Sequence, residues 1–131
     1  MTPLHYPSLE LCKKLTEAGF PEETSCHFRK NNSDIYEHTF WPWNDESYVC
    51  PSVMELLDEM PNWITVKYKD WDVWNYKLEI GRQWTSESIE AYYAHYVELN
   101  WAYVFCLGTL PNALAEMWLW LVENGYINKT K

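Results

Sequence analysis

A chain of 131 residues with 47% apolar residues and nine tryptophans holds material for one hydrophobic core and not for two, so a single domain over 1–131 is expected. Its formal charge of -9, from 19 acidic against 10 basic residues, argues against a surface built to neutralise nucleic-acid phosphates. No stretch approaches the roughly 18 apolar residues of a membrane span, and the opening MTPLHYPSLELCKK has neither a basic segment nor an apolar run, so a cytoplasmic protein with no nucleic-acid or membrane partner is expected.

The first predicted element is a helix opened by Pro7-Ser8. Leu11, Cys12, Leu15 and Ala18 recur at helical spacing, Lys13, Lys14 and Glu17 take the other face, and Gly19 followed by Pro21 stops it. Residues 25–30 and 34–41 are short strand-like segments separated by Asn31-Asn32-Ser33, which predicts a hairpin. The stretch WPWNDES at 41–47 is a loop by its Pro, Asn and Asp, with Trp41 and Trp43 flanking Pro42. Ser52 followed by Glu55 three residues on is a capping box; it opens a helix with Val53, Leu56, Leu57 and Met60 on one face, and Pro61 ends it.

The clearest alternation comes next. Ile64, Val66 and Tyr68 alternate with Thr65, Lys67 and Lys69, and after a turn over 70–73 Trp74, Tyr76, Leu78 and Ile80 alternate with Asn75, Lys77 and Glu79, which predicts a hairpin with one apolar and one solvated face. Residues 85–107 fit two periods. Ile89, Tyr92, Tyr93 and Tyr96 suit a helix, whereas from Tyr93 onward strict alternation through Phe105 suits a strand; a short helix to about Tyr93 and a strand from about 96 to 106 are expected. The last helix starts after Thr109, just before Pro111, and stops at Gly125. The order implies an α+β fold: an antiparallel sheet of about five strands with three or four helices packed mainly on one face.

Catalytic motifs are missing from this pattern. The four glycines, at 19, 81, 108 and 125, stand too far apart for a phosphate-cradling loop. Cysteines at 12, 26, 50 and 106 show no C-x-x-C spacing; Cys12 and Cys106 sit in apolar patterns and read as buried thiols. Cys26-His27, His38 and Cys50 would meet at a metal only if two strands and a loop converged, and neither Cys26 nor Cys50 has a local signature pairing it with His38 or His95 as a nucleophile. Asp45, Glu46, Asp70 and Asp72 lie beside Trp41, Trp43, Trp71 and Trp74, an association that suits a binding surface better than glycoside cleavage. The expectation is therefore a chain that is not an enzyme, with no catalytic residues, no metal and no cofactor.

Three segments, LCKKLTEAGFP, YVCPSVMELLDEMP and LPNALAEMWLWLVENGYI, resemble a group of short, uncharacterised proteins encoded by bacterial phages and prophages. The resemblance implies a small cytosolic accessory protein and no particular activity. Two functions suit the residues. One is protein–protein interaction, with an unknown partner or a second copy as a homodimer, through an aromatic surface, because interface cores are rich in Trp and Tyr. The other is binding or sequestering a nucleotide or sugar between Trp41, Trp43, Trp71 and Trp74, with Lys67, Lys69 or Lys77 meeting an anionic group.

On the last helix Leu110, Leu114, Met117 and Leu121 form the inward stripe, and Trp118 and Trp120 diverge onto its two shoulders. Leu119 points away from the stripe with Val122 and Ala115 near it and Glu116 and Glu123 beside them. Leu119 and Val122 are thus the expected interface residues.

Overall fold

The computed structural model describes residues 6–24, 26–30, 36–39, 47–69, 72–84, 90–98 and 101–127. Its elements run α1 (Leu9–Glu17), β1 (His27–Lys30), β2 (Tyr36–Thr39), β3 (Tyr48–Val49), α2 (Val53–Asp58), β4 (Trp63–Lys69), β5 (Asp72–Trp84), β6 (Glu90–Glu98), β7 (Trp101–Gly108) and α3 (Leu110–Glu123). The class is α+β. Its strands form two antiparallel sheets in place of the single sheet expected, one ordered β2-β1-β3 and the other β4-β5-β6-β7.

Local chemistry sets the helix ends. Ser8 Oγ accepts from Leu11 N at 3.3 Å at the start of α1, and Gly19, at φ 89°, supplies the left-handed residue that ends it. In α2 both capping-box bonds form: Glu55 N donates to Ser52 Oγ at 3.3 Å, and Ser52 N donates to Glu55 Oε1 at 2.9 Å. Thr109 caps α3 by accepting from Asn112 N, with Pro111 in the first turn, where its missing N–H costs no bond.

The predicted hairpin in the first half is β1 with β2, Phe28 opposite His38 and Arg29 opposite Glu37. The short β3, which falls where no strand was expected, pairs with the other edge of β1. In the second sheet Ile64 faces Tyr76 and Val66 faces Trp74 across the β4–β5 ladder. Strand β5 runs four residues beyond Ile80, through Gly81 to Trp84, and its far half pairs with β6 from Lys77↔Val97 to Trp84↔Glu90.

This pairing overturns the expected helix up to Tyr93. Residues 90–98 and 101–108 are two strands of one hairpin; the rest of the expected helix, 85–89, lies outside the described residues. A tyrosine-rich run satisfies both periods, and the deciding term is nonlocal. Strand β5 presents backbone N–H and C=O groups over 77–84 that a neighbouring strand satisfies and a helix cannot.

Helix α3 packs on β6 and β7 and is flanked by α1 and α2. Leu114, Ala115, Met117 and Leu121 are fully buried, and Trp118 is 3% exposed. A helix apolar on nearly all sides is a core helix. The core also takes Leu11 and Leu15 of α1, Phe20, Val49, Leu56, Ile64, Val66, Tyr76 and Tyr96. Among the described residues no helix is long and apolar enough to cross a membrane.

Candidate interaction groove

Helices α1 and α3 meet along residues that each carries at helical spacing. Leu11, Lys14 and Ala18 lie on one stripe of α1, with Glu17 beside it, and Glu116, Leu119, Trp120, Val122 and Glu123 face them from α3. Between the two sets runs an open groove of about 820 Å³. Its floor is apolar: Leu11 and Val122 are each 9% exposed, and Ala18, Leu119 and Trp120 are half-buried. Its rim is charged, Lys14 against Glu17, Glu116 and Glu123. Trp120 is held at one end by stacking on Tyr126, centroids 5.5 Å apart and planes 16° from parallel.

The face of α3 expected to point outward is therefore largely covered. Helix α1 packs over it, so Ala115 and Val122 belong to the core, and Val122 is corrected from a surface contact to a floor residue. Leu119 is the member of the set that stays half-exposed while touching the core. The two tryptophans do diverge: Trp118 meets Phe20 edge-on at 4.9 Å inside the core, and Trp120 takes the groove side.

Of the other expected binding residues, Lys67, Trp74 and Lys77 are described with their side chains, and Trp74 does not share a face with the two lysines. Trp41, Trp43 and Trp71 lie outside the described residues, as does the side chain of Lys69, whose backbone pairs with Asp72 at the end of β4. Trp74 is half-buried on the inward side of β5 opposite Val66, its Nε1 donating to Asp72 Oδ1 at 2.7 Å. Lys67 and Lys77 are exposed on the opposite face, paired with Val73 and Trp63. Strand alternation separates Trp74 from both lysines by the thickness of the sheet.

That outer face carries Trp63, which the sequence pattern left aside, beside the expected Thr65, Asn75 and Glu79. Trp63 is 57% exposed directly opposite Lys77, Thr65 Oγ1 donates to Asn75 Oδ1 at 2.8 Å, and His95 Nε2 lies 3.2 Å from Glu79 Oε1. Alternation from Ile64 and Val66 backward was the signal that puts Trp63 outside.

Cys12, Cys26 and Cys50 gather in a second cluster with Phe28, all three fully buried and present as thiols rather than disulfides. Cys50 N donates to Cys26 O at 3.2 Å. The Cys50 thiol is pushed far above the ordinary thiol range, first by its hydrogen bond with Cys12 and then by burial, which opposes the thiolate that a nucleophile or metal ligand needs. His27 Nε2 lies 3.3 Å from Glu22 O, and the side chain of His38 lies outside the described residues. Among the described residues no group of three or more His, Cys, Asp or Glu is arranged to hold a metal ion.

The groove combines an apolar floor with a charged edge, and its described lining has no histidine, cysteine, serine or threonine. Such a surface can bind a partner. Neither a family model, a curated protein nor a solved structure matches the chain.

Proposed function

We propose that this protein acts without catalysis, as an accessory protein of the phage and prophage kind, by docking another protein into the groove between α1 and α3. The observation that carries the reading is the groove itself. Leu119 and Trp120 stay half-exposed above a floor of Leu11 and Val122, ringed by charge. Interfaces place their energy in such partly desolvated apolar anchors with a polar rim around them. Aromatic character enters through Trp120, a smaller share than the tryptophan content suggested.

The test is a displayed library of short peptides selected against the full chain and counter-screened on two variants. Leu119→Glu, which puts a carboxylate on the groove wall, is expected to weaken selected binders at least about tenfold, the equivalent of roughly 1.4 kcal/mol. Lys67→Glu on the outer sheet face is expected to leave them unchanged. Circular dichroism melts check that both variants stay folded. Selected binders indifferent to Leu119→Glu, or no enrichment at all, would refute the reading.

A further inference from the structure

The groove's shape and charge narrow its occupant. The groove is lined from Leu11 to Ala18 and from Glu116 to Glu123, so it runs roughly 10 Å along the helices, about two helical turns. A third helix laid along it offers side chains at i, i+3 or i+4, and i+7 to the same stripe, the spacing at which helices fill apolar grooves. Ala18 is the smallest side chain of the lining, and Leu119 and Trp120 line the same groove from α3.

The rim holds three carboxylates, Glu17, Glu116 and Glu123, and one ammonium, Lys14. The chain as a whole carries -9, so the long-range field has the same sign as the rim. A second copy meeting this groove about a two-fold axis would set this rim, with three carboxylates to one ammonium, against an identical net-negative rim, because a two-fold interface pairs a patch with itself. Like-charge pairing of that kind disfavours self-association here. Of the two partners open to the chain, a different protein suits this surface and a second copy does not.

We infer that the groove receives a cationic amphipathic helix of about three turns from another protein, its apolar stripe on Leu119, Trp120 and Val122 and its lysines or arginines over Glu17, Glu116 and Glu123. The inference rests on the docking function proposed above and adds the chemistry of the partner. The experiment titrates the full chain with three labelled helical peptides of about 12 residues that share one apolar stripe and carry lysine, glutamine or glutamate on the polar face.

By fluorescence anisotropy the lysine peptide is expected to bind at least about tenfold tighter than the glutamate peptide, with the glutamine peptide between. Raising salt should shrink the difference. The double variant Glu116→Lys, Glu123→Lys, both at exposed positions, should invert the order, and Leu119→Glu should weaken all three peptides.

Equal binding of the three peptides, all weakened by Leu119→Glu, would overturn the cationic occupant and leave the docking groove standing. A lysine preference untouched by both groove variants would show attraction to the general surface charge and overturn the inference. Sedimentation revealing a dimer that Leu119→Glu dissociates would make a second copy the occupant, against this assignment. Absence of binding by any of the three, with Leu119→Glu also silent in the library screen, would remove the groove and the inference together.

Discussion

At the scale of single residues, Tyr96 shows how one polar atom is accommodated inside an apolar core. Its ring is fully buried, and its hydroxyl donates to Pro61 O at 2.6 Å, tying the centre of β6 to the turn between α2 and β4. Burial pushes the phenol above its ordinary value of 10.0. The folded chain therefore keeps this proton where the unfolded chain releases it, so the stabilisation is complete below pH 10.0 and falls as pH rises beyond it. Tyr96→Phe should cost about 1 kcal/mol in urea unfolding at neutral pH. The gap between wild type and variant should then narrow as the buffer is taken above pH 10.0; a gap that stays constant or widens would contradict the burial argument. Trp118 is the opposite case. Its Nε1 is buried with no hydrogen-bond partner among the described residues, a cost of about 1–3 kcal/mol, offset by the area its ring buries and its edge contact with Phe20.

Among the elements, the β5–β6 ladder holds the clearest local dependence. Gly81 lies opposite Tyr93, and a Cβ built on Gly81 would stand 2.5 Å from Tyr93 Cζ. The tyrosine ring covers the bare glycine backbone and meets His95 edge-on at 4.9 Å. Gly81→Ala should therefore destabilise by no more than about 1 kcal/mol, since the atoms it meets are the far end of the half-buried Tyr93 side chain, which can swing aside. In a Tyr93→Ala background the same change should cost much less, and a double-mutant cycle in urea measures the coupling. Additive effects would mean that the contact does not matter. Caps were legible because they are local: Ser8, Ser52 with Glu55, and Thr109 each act within one turn. The strand at 90–98 was not, since its identity depends on β5, whose pairing partners lie up to some twenty positions away along the chain, as Lys77↔Val97 shows.

At the scale of the whole molecule, the described residues form two sheets and two buried clusters, and α1 joins the clusters. Leu11 and Leu15 enter the main core, while Cys12, on the same helix, enters the thiol cluster. Thr16 Oγ1 accepts from Val49 N and donates to Cys12 O, both at 2.9 Å, and Ser8 N donates to Asn112 Oδ1 at 2.9 Å. Coupling of this kind implies one cooperative unit. Leu15→Ala should cost about 2–5 kcal/mol, and tryptophan fluorescence and the labelling of Cys12, Cys26 and Cys50 should report the same shifted urea midpoint. Thiols that open at lower urea than the fluorescence change would show that the two clusters unfold separately.

The sequence by itself determined the features whose energetics close within one turn or one strand: the helix ends, the apolar stripe of α3, the alternation of β4 and β5, and the α+β class. Tertiary structure alone decided the rest. It made residues 90–98 a strand and divided the strands into two sheets. It also laid α1 over Val122, leaving Leu119 and Trp120 beside a groove. Each of those outcomes turns on which distant backbone or apolar face a segment meets, a quantity that no local period contains.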